Sequence, residues 1–63
     1  MTVKELLDTF EKRIDYIDVN DMRRNIVYYD ISDYRARFDH GDREVEAYEY
    51  DAKGFTLAIY IKG

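Results

Sequence analysis

Chemically reactive side chains are scarce in this 63-residue chain, which has one histidine, His40, one serine, Ser32, and no cysteine. A Ser-His-Asp arrangement would need Ser32 and His40 to converge from neighbouring turns, with an aspartate as the orienting group. The surrounding sequence offers neither a nucleophile elbow nor donors for an oxyanion hole. We therefore expect no enzymatic activity, and we interpret the two residues as a helix-capping serine and a turn histidine.

Metal ligands and phosphate-binding loops are equally sparse. Residues 39–42, Asp-His-Gly-Asp, are more typical of a solvated turn than of a metal site. Residues 18–21 match only the start of a calcium loop, without its distal glutamate. The sequence has no glycine-rich phosphate loop. We expect neither a metal nor a cofactor.

Arginines and tyrosines alternate in the middle of the chain, where they include Tyr28, Tyr29, Arg35 and Arg37. Arginine forks suit phosphates and carboxylates, and tyrosine rings stack on bases. One hypothesis is therefore a site for a nucleotide or another anionic ligand. The alternative, which we favour, is that the arginines pair with neighbouring aspartates.

The net charge of −4, from 14 acids and 10 bases, argues against non-specific binding to nucleic acid. Acidic side chains outside the arginine-rich segment could form a negative face that imitates phosphates, or they could serve solubility alone. The sequence leaves both readings open. The acids in question are Asp8, Glu11, Asp15, Asp18, Glu44, Glu46 and Glu49.

Three elements can be predicted in the first half of the chain. Thr2 and Glu5 form a capping-box pattern, and apolar residues at helical spacing then predict an amphipathic helix over residues 3–13. Residues 14–19 and 25–31 predict two strands that pair as a hairpin around residues 20–24.

Residues 32–40 fit two structures. Ser32 could cap a short helix in which Tyr34 and Phe38 share a side, whereas residues 34–38 also alternate well enough for a strand. We favour a short helix or turn between two hairpins.

The last hairpin pairs residues 44–51 with residues 55–62. The register with the better turn around Gly54 would bury the carboxylate of Glu49 without a partner, which costs several kcal/mol. We therefore prefer the register that is shifted by one residue. It places Tyr50 opposite Leu57 and leaves Tyr60, Ala58 and Ala47 facing away from the core. The predicted core of the hairpin is Tyr48, Tyr50, Leu57, Ile59 and Ile61, with a bulge near Glu46 and Ala47 if Val45 is also buried.

These elements predict an α+β fold as a single domain over residues 1–63. An N-terminal amphipathic helix packs on a small four-stranded antiparallel sheet made of two hairpins. The exposed edges of such a sheet favour a homodimer. No stretch approaches the roughly 20 apolar residues of a membrane helix, and the first five residues do not resemble a signal peptide. We therefore expect a cytoplasmic protein.

Three segments resemble short acidic proteins of phages and prophages of Gram-positive bacteria. They are the capped helix start at residues 2–8, the Asp-Arg-Glu-Val segment at residues 42–45 and the alternating Leu/Ile strand at residues 57–61. The middle of the chain, residues 34–40, is more basic and aromatic than this group. The resemblance implies an accessory role, which in some such proteins is the inhibition of host defence, and it assigns no functional residue.

We therefore expect a non-enzymatic module that binds a protein partner, with Tyr28, Tyr29, Tyr60, Arg35 and Arg37 as its contact residues. The resemblance would make it an inhibitor of a bacterial defence system or host enzyme, as anti-CRISPR proteins are. The first alternative is a protein that sequesters a nucleotide or small anion. The second is a structural or assembly accessory protein.

Overall fold

The computed structural model describes residues 1–62, which form two helices and four strands. In chain order these are α1 (Val3–Thr9), β1 (Tyr16–Asp21), β2 (Ile26–Ile31), α2 (Asp33–His40), β3 (Val45–Asp51) and β4 (Thr56–Ile61). The strands form a sheet in the order β2-β1-β4-β3. Neither helix of residues 1–62 has the length and apolar composition that crossing a membrane requires.

The sheet is mixed, so the predicted antiparallel sheet is partly wrong. Both predicted hairpins, β1–β2 and β3–β4, are antiparallel, but the central strands β1 and β4 are parallel to each other. β4 contributes Leu57, Ile59 and Ile61, which are fully buried, whereas β3 carries several acids. The apolar strand therefore occupies the centre and the acidic strand the edge, which makes β1 and β4 parallel neighbours.

The predicted capping box starts α1. The hydroxyl of Thr2 accepts a hydrogen bond from the Glu5 amide at 3.2 Å, and the Glu5 carboxylate accepts one from the Thr2 amide at 2.9 Å. The hydrogen bond from the Thr2 backbone, followed by the one from its side chain, lowers the pKa of Glu5. The helix buries Val3, Leu6 and Leu7, which confirms the predicted apolar side.

The predicted end of this helix is wrong, because α1 stops at Thr9 instead of continuing to residue 13. The Thr9 hydroxyl donates to the Glu5 carbonyl at 2.9 Å, and Phe10 takes an extended backbone with ψ of 120°. Leaving the helix lets the Phe10 ring lie 5.1 Å from the ring of Tyr50. Tyr50 lies 40 residues further along the chain, so the spacing of apolar residues within the helix could not predict this contact.

The first hairpin has the predicted partners. β1 begins at Tyr16, two residues later than expected, and its turn to β2 covers residues 22–25. The carboxylate of Asp21 accepts from the Arg24 amide at 3.3 Å, and Asn25 has a φ of 56°. Asparagine tolerates this left-handed conformation better than most residues.

A β-bulge interrupts β2 near its end. Residues 29 and 30 of β2 lie opposite a single residue of β1, Asp18, and Asp30 has a φ of 52°. The Asp18 carboxylate accepts a hydrogen bond from the Asp30 amide at 3.0 Å. The bulge bends this edge of the sheet and breaks its regular backbone.

The predicted register of the second hairpin is confirmed. Tyr50 lies opposite Leu57 and Tyr48 opposite Ile59, and the ladder shifts between residues 45 and 47, where the bulge was predicted. The cost of burying Glu49 therefore decided the pairing, as argued from the sequence.

The predicted core of this hairpin is correct except at Tyr48. Leu57, Ile59 and Ile61 are fully buried and Tyr50 packs partly buried against the core. Tyr48 points to the same side but stays 48% exposed. It lies on the edge strand, where its ring and that of Phe10 form a T-shaped pair with centroids 6.2 Å apart.

The turn between β3 and β4 places a phenylalanine in the left-handed region. Phe55 has a φ of 52°, while neither glycine within residues 1–62 has a positive φ. The Phe55 carbonyl accepts from the amides of Asp15 and Tyr16 at 2.7 and 3.2 Å. The guanidinium of Arg13 lies 4.3 Å from the Phe55 ring. These contacts hold a conformation that is unusual for a bulky residue.

Residues 33–40 are helical, which resolves the choice between helix and strand. The Ser32 hydroxyl accepts from the Arg35 amide at 3.2 Å and caps α2, as predicted. The helix continues through His40, which is buried, so the prediction of an exposed turn histidine is wrong. Ala36 and His40 lie on the same side of α2 because they are one helical turn apart, and this side faces the sheet.

Candidate functional site

The described helices cover one side of the sheet and leave the other side uncovered. The buried side chains of α1 and α2 join those of β1 and β4 in one apolar cluster. Alternation along the strands directs the remaining side chains to the opposite side, which we call the open face. Its residues are Tyr16, Asp18 and Asn20 of β1, Val27 of β2, Thr56, Ala58 and Tyr60 of β4, and Ala47, Glu49 and Asp51 of β3.

Small side chains and one tyrosine occupy the middle of the open face. Tyr60 lies between Asn20 on one neighbouring strand and Ala47 on the other. Ala47 and Tyr60, together with Met22, Glu46 and Glu49, border a shallow depression of about 500 Å³. This part of the open face is mainly apolar, and Tyr60 adds a phenol that can donate and accept hydrogen bonds.

Three carboxylates lie close together on another part of the open face. Asp18, Glu49 and Asp51 line a second depression of about 360 Å³, together with Thr56 and Ala58. Within residues 1–62 these three carboxylates form no ion pair within 4.0 Å. Unneutralised acids on one surface create a negative potential that attracts cationic groups.

Six of the seven acids that the sequence offered as one negative face fall into two groups. Asp8, Asp15 and Glu44 pair with the cations of Arg37, Arg13 and the N-terminal amine. Asp18, Glu46 and Glu49 lie at the two depressions of the open face. Among the described residues, no three histidine or acidic side chains are grouped so as to hold a metal ion.

The five predicted contact residues do not come together. Tyr60 lies on the open face, and Tyr29 of β2 is 71% exposed. Tyr28 faces the helices, with its ring 4.9 Å from that of His40. Arg35 and Arg37 belong to α2, on the covered side of the sheet. Of these five residues, only Tyr29 and Tyr60 are available to a partner that approaches the sheet from its uncovered side.

Arg37 connects the two helices. Its guanidinium donates to Asp33 at 2.6 Å and to Asp8 of α1. The hydrogen bond to Asp8, and then the one to Asp33, raises the pKa of Arg37. Arg35 pairs with Asp39 one turn further along α2, at 3.0 Å. This is the pairing with neighbouring aspartates that we favoured over an anion site.

A buried polar group lies where β1 meets the end of α2. Asp21 is nearly inaccessible, and its carboxylate approaches the Arg43 guanidinium at 3.5 Å. Burial raises the pKa of Asp21, but the amide of Arg24, the charge of Arg43 and the amide of Arg23 together bring it below its ordinary value. Asp21 is therefore held as a carboxylate at the end of β1.

Ser32 and His40 lie at opposite ends of α2. Ser32 caps its first turn and His40 is its last residue, so about 12 Å of helix separates them. His40 is 7% exposed, and its Nδ1 has no hydrogen-bond partner among the described residues. Burial, and to a lesser extent the charge of Arg43, lowers the pKa of His40 against the opposing effect of Asp39. This arrangement brings no base to the only serine.

Comparisons with protein-family models, with curated proteins and with solved structures found no match. The site is therefore defined by geometry alone. The sequence had already indicated that Ala47, Ala58 and Tyr60 face away from the core. It did not indicate that Asp18 of β1 would join them, because that depends on β1 lying beside β4.

Proposed function

We propose that this chain is a non-enzymatic, cytoplasmic binding module that places the open face of its sheet against a basic surface of another protein. The observation that carries the proposal is the uncovered sheet, which presents unpaired carboxylates around Tyr60 and two alanines. The separation of Ser32 from His40 supports a role without catalysis.

The composition of the open face fits protein recognition. An apolar centre with an aromatic residue supplies most of the binding energy in typical interfaces, and the charged surroundings give specificity and a fast association rate. Tyr60 would be the central aromatic residue, and the carboxylates of Asp18, Glu49 and Asp51 would meet arginines or lysines of the partner.

The resemblance to short acidic phage proteins supports a narrower form of the proposal. On that basis the partner is a bacterial defence protein or a host enzyme, and the chain is its inhibitor. A groove that such a partner uses for nucleic acid is a basic surface of the required kind, and an acidic face would compete with phosphates for it.

Ala58→Arg tests the proposal, because it places a cation and a long side chain in the centre of the open face. Ala52→Arg is the matched control, since Ala52 is exposed in the turn between β3 and β4. Affinity capture from a bacterial lysate, followed by mass spectrometry, should recover a specific basic partner with the wild type and with A52R but not with A58R. Recovery that is equal for both variants would refute a role for the open face.

The two alternatives remain predictions with their own tests. A thermal-shift screen with nucleotides examines the sequestering protein, and a nucleotide that raises the Tm would favour it over the binding module. Capture of virion components alone would favour an assembly accessory protein.

A further inference from the structure

The outer edge of β3 carries a row of unpaired backbone groups. Residues 47–51 pair with β4 without interruption. Apart from that ladder, residues 46–51 make no backbone hydrogen bond to any other described part of the chain. In an edge strand, alternate amides and carbonyls point outward, and each is available to a further strand.

The availability of this edge is confined to one segment of one strand. The start of β3 is already occupied, because the Val45 amide donates to the Met1 carbonyl at 2.8 Å. The opposite edge, β2, is interrupted by the bulge at Asp30. Bulges reduce strand addition because they break the regular spacing of donors and acceptors. The bulge of β3 itself lies at its start, between residues 45 and 47, so residues 46–51 form the longest free edge of the described sheet and residues 47–51 its regular part.

The charge of β3 selects what can be added to it. Glu46, Glu49 and Asp51 are acidic, and β3 contains no basic residue. Two copies paired through β3 would bring six carboxylates together, and like charges on facing strands are destabilising. A strand with lysines or arginines would instead gain cross-strand ion pairs with Glu49 and Asp51 on the open face.

The side of β3 that faces the helices has a different character. Tyr48 is half-exposed there, and the rings of Tyr48, Tyr50 and Phe10 contact one another through Phe10. An added strand would direct every second side chain to this side. Apolar side chains would cover the exposed part of Tyr48, whereas the alternate positions would meet the acids.

We propose that β3 accepts an extended segment with alternating basic and apolar residues as a fifth strand of the sheet. This inference rests on the proposed function and specifies one part of the partner that the sheet binds. The segment's backbone would pair with residues 46–51, its cations would face Glu49 and Asp51, and its apolar side chains would pack on Tyr48.

The probe is a blocked eight-residue peptide of alternating lysine and valine, added to the ¹⁵N-labelled full chain. We expect peak shifts centred on residues 46–51 and slower hydrogen exchange of their outward amides. The matched control is the same peptide with alternate backbone nitrogens methylated, which keeps the charges but removes donors to the edge. It should bind at least about tenfold more weakly.

Charge reversal provides the second arm. Glu49→Lys with Asp51→Lys should weaken the lysine peptide by about tenfold and create binding of a glutamate–valine peptide. Circular dichroism verifies that this variant is folded.

Three results would overturn the inference. Peptide shifts at Asp18, Ala58 and Tyr60 without protection of β3 amides would mean binding on the open face, which leaves the proposed function intact. Equal binding of the methylated peptide would exclude backbone pairing. Concentration-dependent shifts of residues 46–51 without peptide would mean that a second copy occupies the edge.

Discussion

His40 is the residue whose environment differs most from what the sequence suggested. Its ring lies against Tyr28, and the charged groups that affect its pKa are Asp39, Arg43, Asp21 and Arg24. Burial is the main reason that its pKa lies below 6.5, and the neutral ring is therefore the form that the fold accommodates.

Stability should fall on mild acidification because of His40. The unfolded chain takes up the proton near the ordinary pKa, and the folded chain only at lower pH, so the unfolded state binds more protons between the two values. We expect the Tm of the wild type to fall between about pH 7 and about pH 5.5. His40→Phe keeps a ring against Tyr28 and should show a smaller decrease, measured by thermal unfolding across this range.

The acids with lowered pKa values do not interfere with this measurement. The ordinary pKa values of Glu5 and Asp21 are 4.5 and 3.8, so their contribution to stability is lost only as the pH falls through a more acidic range. A wild type and an H40F variant with the same slope above about pH 5.5 would contradict the role of His40.

The caps at Thr2 and Ser32 were predictable from the sequence, whereas the pairing of the buried Asp21 with Arg43 was not. A cap depends on residues three positions apart, which the sequence displays directly. Asp21 instead finds its partner 22 positions later, after β2 and α2 have been placed. Local spacing carries no information about that meeting.

At the scale of elements, α1 depends on its first turn because it is only seven residues long. Thr2→Ala removes the hydroxyl that accepts from the Glu5 amide and should lower the free energy of unfolding by about 1 kcal/mol. Thr2→Ser keeps the acceptor and is the control. Urea denaturation measures both, and an equal loss in the two variants would assign the effect to packing of the threonine methyl group.

The contact between α1 and α2 should depend on Arg37 more than on Arg35. Arg37 pairs with Asp8 of the other helix as well as with Asp33, whereas Arg35 pairs only within α2. Arg37→Gln should therefore lower the Tm by more than Arg35→Gln in thermal unfolding. A larger effect of R35Q would contradict this order, and lost partner binding at unchanged Tm would support the predicted contact role of Arg35.

Both hairpins were predictable, but the order of the strands was not. The pairing of Tyr50 with Leu57 follows from alternation and the cost of burying Glu49, both of which are visible within one short segment. In contrast, β1 and β4 lie side by side although their paired residues, such as Ile17 and Leu57, are 40 positions apart in the sequence. That choice depends on the total burial of both hairpins, and it determined whether Asp18 lies beside Ala58 on the open face.

The charges of the whole molecule are unevenly distributed. β3 contains three acids and no base, while α2 contains Asp33 and Asp39 together with Arg35 and Arg37. The acidic strand repels its own copy, but the balanced helix does not. The predicted homodimer should therefore form through α2 and not through the edge of β3.

The exposed side of α2 has the chemistry that a contact between copies requires. The rings of Tyr34 and Phe38 are stacked with centroids 5.9 Å apart, and they are 70% and 74% exposed. Two such helices, packed antiparallel, would cover these rings and bring Arg35 of one copy towards Asp39 of the other. Aromatic burial would then supply the energy, and the opposite charges the orientation.

Light scattering at two protein concentrations tests this homodimer. The wild type should approach the mass of a dimer at the higher concentration, and Phe38→Ser should remain a monomer because it removes half of the stacked pair. Val27→Thr is the control, since Val27 is exposed on the other free edge, β2. A folded wild type that stays monomeric would contradict self-association. Loss of the dimer in V27T but not in F38S would move the interface to β2, where the bulge leaves only three regularly paired residues.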